Sequence, residues 1–372
     1  MDVLVSCHSY LFSSARAQLR ILAYVNVYLP THCAGAETTM HDILKFLVGR
    51  GHTVRVLLAI TKPNVPHEPY VIDGVEVIPF DPLDKRRLNE EAPQWDIVVT
   101  HLEPSERAAI VCAYSNTPVV HVVHNTLWQT EGYLSTGCNL AIYNSLWVAA
   151  HHEGEDRANL GLVALSKDES HVDSRVEFRT RTSWKWPYVI VHPAILPSDY
   201  STDGPHDCIT LVNAHINKGP KIFYEMARTF TRENFLLVKG GYGVQELQAA
   251  PPNVEVIENT PNVRELVYAR TKILLMPSEY ESFGRAAIEA AASGIPTIAS
   301  PTPGLREALG PQGIYADPTN PDEWEEALAT LLKPRNYAAA SKRAKARSKY
   351  WADIRAPQLD ALEKALIDLI RK

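Results

Sequence analysis

The sequence predicts an α/β protein: two parallel-sheet domains facing each other across a cleft, followed by a helical tail. Three observations carry this expectation. Short apolar runs alternate with amphipathic stretches at the spacing of βαβ units. That rhythm runs twice, and a stretch bearing Pro, Gly, Ser and Asp at 195–207 separates the two series. At 372 residues, the chain exceeds one typical core and suits two.

In the first series, ILAYVNV (21–27) reads as a buried strand, and an amphipathic helix follows over 37–49. Gly51 and His52 make the turn into TVRVLLA (53–59). VEVIP (75–79), DIVVT (96–100), PVVHVV (118–123), LAIYN (140–144) and YVIVHP (188–193) continue the sheet. Residues 152–183 are polar and aperiodic and read as a long loop or insertion. The second series runs through CITLVN (208–213), FLLVK (235–239), VEVIE (254–258), KILLMP (272–277), PTIAS (296–300) and GIYA (313–316). Thr260 followed by Pro261 is a helix-start signal. From 322 to 372 the pattern is of consecutive helices. The expected domains are therefore 1–200, with an extension at 1–20, and 201–372. Ligands belong at the carboxyl ends of the strands and in the cleft.

Composition narrows the classes. The formal net charge is −6, which gives no general attraction to nucleic acid or anionic membranes. The basic run at 341–349 reads as a solvated helix face. Five scattered cysteines without a C-x-x-C pair argue against a disulfide framework or zinc site and for a reducing compartment. No apolar run approaches the ~20 residues of a membrane span. In the first 20 residues the charges are ordered the wrong way for a secretory signal, so a cytoplasmic protein is expected. There is no D-x-D to grip a metal-diphosphate, and no G-x-G-x-x-G opens the first helix, which disfavours a nicotinamide enzyme.

The most informative segment is PSEYESFGRAAIEAAASGIPTIAS (277–300): a strand, a tight loop, an alanine-rich helix and another strand. Ser282 is placed to cap the helix, with the amides of 283–285 pointing into the loop as an anion site. Gly284 lets a phosphate approach the backbone. Within the helix, Glu289 shares a polar stripe only with Arg285 and Ser293. From the residues alone Glu289 is either half of a solvated i,i+4 pair or a carboxylate on the cleft wall, binding a cis-diol such as a ribose. Lys218 and Gly219 lie between a strand and a helix, where an ammonium can hold a diphosphate, though a solvated loop gives the same pattern. Ala34 and Gly35 precede the first helix, as a plain turn also would. His124 follows a strand at the ligand edge, whereas His121, alternating within that strand, reads as a core residue.

With Glu281 and Glu289 in an E-x(7)-E arrangement, this segment resembles glycosyltransferase family 4, the group 1 glycosyltransferases of GT-B fold. The likeness continues through PTPGLREAL and GIYADPTNPDEWEEAL up to 328 and, more weakly, back to Ile21. It implies two Rossmann-like domains, the N-terminal one on the acceptor side and the C-terminal one binding the donor. It also implies a retaining, metal-independent transfer of sugar from a nucleotide-diphosphate donor, with no cofactor. By the resemblance, Glu281 and His124 stand beside the donor sugar, Glu289 holds the ribose hydroxyls, and Lys218 neutralises the leaving diphosphate. Gly35, Ser282, Phe283 and Gly284 complete the donor site. The family places an arginine where this chain has Asn213, with Lys239 and Arg285 as candidate replacements. A nucleotide-sugar epimerase and a non-catalytic sugar-nucleotide binder are the rival functions. The acceptor, whether glycan, lipid, protein or modified nucleobase, is not indicated by these motifs.

Overall fold

The computed structural model describes residues 17–61, 66–154, 186–241 and 243–371. Two sheets form from the two series. The first contains β1 (Arg20–Val25), β2 (Thr53–Ala59), β3 (Tyr70–Ile72), β4 (Val75–Phe80), β5 (Ile97–His101), β6 (Val119–Val123), β7 (Leu140–Tyr143) and β8 (Tyr188–Ile190). Its spatial order is β3-β4-β2-β1-β5-β6-β7-β8, parallel except for the antiparallel pairing of β3 with β4. The second contains β9 (Cys208–Val212), β10 (Asn234–Val238), β11 (Val254–Ile257), β12 (Thr271–Met276), β13 (Thr297–Ala299) and β14 (Ile314–Tyr315). It is wholly parallel, in the order β11-β10-β9-β12-β13-β14.

The helices are α1 (Gly35–Gly49), α2 (Arg87–Glu91), α3 (Ser105–Ser115), α4 (Trp128–Thr136), α5 (Leu146–Glu153), α6 (Pro197–Tyr200), α7 (Pro220–Thr229), α8 (Arg285–Ala292), α9 (Pro303–Leu309), α10 (Pro321–Leu331) and α11 (Pro334–Ile370). Period-two alternation places them. Ile21, Ala23 and Val25 of β1 pack beneath Met40, Ile43, Leu44 and Leu47 of α1. Leu22 and Tyr24 face the other way, onto Ala108, Ala109 and Cys112 of α3. Sheets covered on both faces read as apolar runs, which is why the strands were legible.

Three expectations need correction. Arg20, assigned to the extension, opens β1 and pairs with Thr53, and residues 1–16 lie outside the described residues. No helix begins at Thr260, whose hydroxyl accepts from the Asn262 N–H in a turn, and the next helical turn is a π-helix over Arg264–Tyr268. The boundary at 201 also fails at its far end. Helix α11 carries Ala340 in the second core and Trp351 between the domains, then Leu359, Leu362 and Leu366 into the core of the first sheet. A fully buried leucine contributes about 2 kcal/mol, so the tail binds itself to the first domain. Of the 152–183 segment, residues 152–154 end α5 and its outer flank, and 155–183 lie outside the described residues. Among the described residues no helix is long and apolar enough to cross a membrane.

Candidate active site between the two sheets

Strand β12 delivers the chain into the 277–284 loop, and α8 leaves it. Gly284 occupies the N-cap position with a left-handed φ of 96°, so the helix starts two residues later than a Ser282 cap would allow. Ser282 instead turns its hydroxyl outward to accept from Asn144 Nδ2 at 3.0 Å. The Phe283 ring is buried among Ile195, Ile288, Ala308 and Trp351, which leaves only its backbone to face the cleft. Across the loop, Lys218 closes a short 3-10 turn (Ile216–Lys218) after β9. Its Nζ donates to Glu281 Oε1 at 2.6 Å, and Ser278 Oγ donates to the same oxygen at 3.0 Å. Both side chains of the pair are largely enclosed, 24% and 14% exposed, which strengthens the attraction over that of a surface pair. The start of α9 braces the loop from behind: a Cβ on Gly304 would lie 2.3 Å from the Glu281 carbonyl oxygen.

The first domain supplies the opposite wall. Thr126 donates its N–H to Tyr280 Oη at 2.9 Å, and Trp147 Nε1 donates to the Glu281 carbonyl at 3.3 Å. Asn144, at the end of β7, donates to the His124 carbonyl at 3.3 Å as well as to Ser282. His124 is buried, with Nε2 3.0 Å from Nδ1 of His101. Burial, reinforced by the neighbouring His101, holds the His124 imidazole well below the usual histidine range, so it is neutral near pH 7. His121, on the core side as expected, reaches the Gly137 carbonyl through Nε2 at 2.7 Å. Gly35 begins α1, with open space above its Cα and no side-chain cap on the helix amides.

Glu289 is not half of a solvated pair. It is 8% exposed, accepts from Tyr268 Oη at 2.7 Å and is paired with Arg285 Nε. Arg285 also donates to Asp42 Oδ2 of α1 at 2.9 Å and to Tyr200 Oη at 2.8 Å, which carries the network across the cleft. Burial opposes the Arg285 charge, but Glu289 and Asp42 outweigh it and hold the guanidinium well above its ordinary pKa.

Residues 34–154 match the family model described as Glycosyltransferase Family 4, and residues 203–349 match Glycosyl transferases group 1. The chain belongs to the group 1 glycosyltransferases. A D-inositol 3-phosphate glycosyltransferase of Xylanimonas cellulosilytica is 25% identical over 395 residues, 89% of this chain and 92% of that protein. One from Corynebacterium glutamicum is 45% identical over 74 residues, 19% of this chain and 18% of that protein. The Anabaena HepE structure in complex with UDP-glucose gives a TM-score of 0.68 at 15% identity, over 94% of this chain and 99% of that one. Sucrose-phosphate synthase from Thermosynechococcus elongatus gives 0.65 at 16% identity, over 94% and 99%. The architecture is GT-B.

Asn213 stands where the resemblance implies an arginine, and the structure gives a packing account of it. Asn213 has a left-handed φ of 75°, and its Oδ1 accepts from the His215 N–H at 3.0 Å. The side chain lies over Gly240, where a Cβ would come within 2.3 Å of it. Both candidate replacements have other partners: Lys239 pairs with the exposed Glu258, and Arg285 is held by Glu289, Asp42 and Tyr200. Sequence reasoning missed Asn144, Thr126, Tyr280, Asp42 and His101. His101 ends β5 and Asn144 directly follows β7, as His124 follows β6, so the strand-end rule that selected His124 had equal claim on them.

Proposed function

We propose that this glycosyltransferase takes its sugar from a nucleotide-diphosphate donor and transfers it with retention of configuration, without a divalent metal. The observation that carries the reading is the Lys218–Glu281 pair at the mouth of the 277–284 loop, facing the His124 wall of the first domain. Breaking the bond between sugar and diphosphate builds negative charge on the departing phosphates. Lys218 and the amides of 282–285 stabilise that charge as it grows, and the growth is what makes them lower the barrier. Glu281 and His124 orient the sugar, and Glu289 takes the ribose hydroxyls through the lone pairs that Arg285 and Tyr268 leave open. Gly35 and the uncapped start of α1 approach the phosphates from the first domain. With an ammonium and helix amides serving the diphosphate, the chemistry calls for no metal. The UDP-glucose complex of HepE favours a UDP-sugar as the first donor to test.

The test is a screen of UDP-, GDP- and ADP-sugars for donor hydrolysis, with and without EDTA, followed by mass spectrometry against candidate acceptors. Turnover of one donor class in EDTA is expected. Activity abolished by EDTA and restored by magnesium or manganese overturns the metal-free part. Binding of no nucleotide sugar at all overturns the donor assignment, and sugar conversion without an acceptor points to an epimerase.

A further inference from the structure

Strands β5 and β6 are parallel neighbours, with Thr100 opposite His121 and His101 opposite Val122. This register puts His101 at the end of one strand beside His124, just past the end of the other. The rings meet edge to face, 72° apart with centroids at 5.1 Å, and the Nδ1 to Nε2 separation of 3.0 Å is that of a hydrogen bond. His101 is 0% exposed and His124 is 8% exposed. The remaining nitrogens, His101 Nε2 and His124 Nδ1, are buried and have no partner among the described residues.

We propose that His101 is a positioning residue that fixes His124 as a hydrogen-bond donor toward the bound sugar. This rests on the reading above that His124 faces the donor. Between two neutral imidazoles the shared bond holds one proton, so the pair has two arrangements. If His124 Nε2 carries the proton, the N–H of His101 Nε2 is left deep in the domain with nothing to accept it. If His101 Nδ1 carries it, the spare N–H is on His124 Nδ1, where an oxygen of the ligand can accept it. Orphaned buried N–H groups are rare because each forfeits a hydrogen bond to water. In the free protein either arrangement leaves one of these buried N–H groups unpaired, and an acceptor oxygen of the bound ligand at Nδ1 selects the second. Burial holds His101 down at about 4, which keeps the pair neutral at neutral pH. His124 then cannot serve as a base: it offers an N–H, and the group opposite it must be an oxygen acceptor.

Long-range proton–nitrogen NMR on protein carrying nitrogen-15 histidine reads the tautomers directly, with UDP-glucose as the added probe. With the probe bound, the expected spectrum has His124 protonated on Nδ1 and bare on Nε2. His101→Phe should shift His124 to the Nε2–H form. In the donor screen, that variant should lose about tenfold or more in kcat with less than about threefold change in KM. His101→Gln, whose amide can still donate, should recover most of the loss. A probe-bound wild-type spectrum with the proton on His124 Nε2 overturns the inference whether or not the variants fold. If His124→Ala is crippled while His101→Phe stays within about twofold of wild type, only this inference fails. If His124→Ala is fully active, the placement of His124 beside the donor fails, and the inference with it.

Discussion

Removing the ammonium of Lys218 changes two charges at once. On the proposed reading the leaving diphosphate loses a cation, and Glu281, 14% exposed and bonded to Lys218 at 2.6 Å, is left as an uncompensated carboxylate beside it. The first loss alone commonly costs on the order of a hundredfold in rate. Two like charges about 4 Å apart repel by up to about 4 kcal/mol at an effective dielectric of ~20, so the unmasked Glu281 adds a second penalty. Because the phosphate charge grows along the reaction, Lys218→Ala should damage kcat more than donor binding. Glu281→Gln in the Lys218→Ala background should then recover part of the loss. The interaction energy of the double-mutant cycle is expected at about 1–3 kcal/mol. Lys239→Ala is the control: its partner Glu258 is 81% exposed, and a pair of that kind contributes about 1 kcal/mol or less. Steady-state donor turnover and calorimetric UDP affinity measure all five proteins: wild type, Lys218→Ala, Glu281→Gln, the double variant and Lys239→Ala. A Lys218→Ala enzyme with near-normal kcat would refute the phosphate role. Equal damage from Lys239→Ala would move the grip to the end of β10.

Three further outcomes follow from the same contacts. Glu289→Gln should lower donor affinity about tenfold and also lower the melting temperature, because the buried Arg285 loses a charged partner, at roughly 1.5–3 kcal/mol; unchanged donor binding would leave Glu289 with a structural role alone. Gly304→Ala should abolish most donor turnover in a folded protein, since the new methyl meets the Glu281 and Ser282 backbone, and normal kinetics would show that the loop has room. His101 and His121 are each held down at about 4 by burial, so the folded state binds fewer protons than the unfolded between about pH 6.5 and 4. Their contribution is therefore complete above about pH 6.5 and is lost as the pH falls toward 4, at roughly 3 kcal/mol for each ring. Thermal melts across that range should show the decline, and His121→Asn should flatten it.

The sheets were legible because a doubly covered strand has to be apolar along its whole length, and such runs stand out one by one. The edge strand β3 escaped notice, since YVI (70–72) is three residues long and only part-buried, with Val71 69% exposed. The candidate site was legible where one short segment carries it: 277–300 places Glu281, Gly284 and Glu289 in a single strand–loop–helix unit. Ser282 was misjudged because a capping hydroxyl and a left-handed glycine compete for the same helix start. A φ of 96° at Gly284 settles that competition in a way residue preferences do not reveal.

Contacts between the domains leave no local signal at all. Asn144 and Ser282 are 138 residues apart in sequence, Thr126 and Tyr280 154, and Asp42 and Arg285 243. None of these residues interrupts the pattern of its own element. Glu307 is the extreme case. It ends no strand and had no role assigned within PTPGLREAL, yet it is 3% exposed and accepts the Leu146 and Trp147 N–H groups at the start of α5. It also meets His192 Nε2 at 2.6 Å, while Gln358 Nε2 of α11 meets Nδ1 of that ring at 2.9 Å. A carboxylate seated on a helix N-terminus is favourable by itself, and burial raises the cost of separating it. The 277–284 loop is therefore fixed relative to His124 by two polar seams, one through Asn144 and Tyr280 and one through Glu307. The family motif accounts for the residues expected to meet the donor, and the seams account for why those residues face each other.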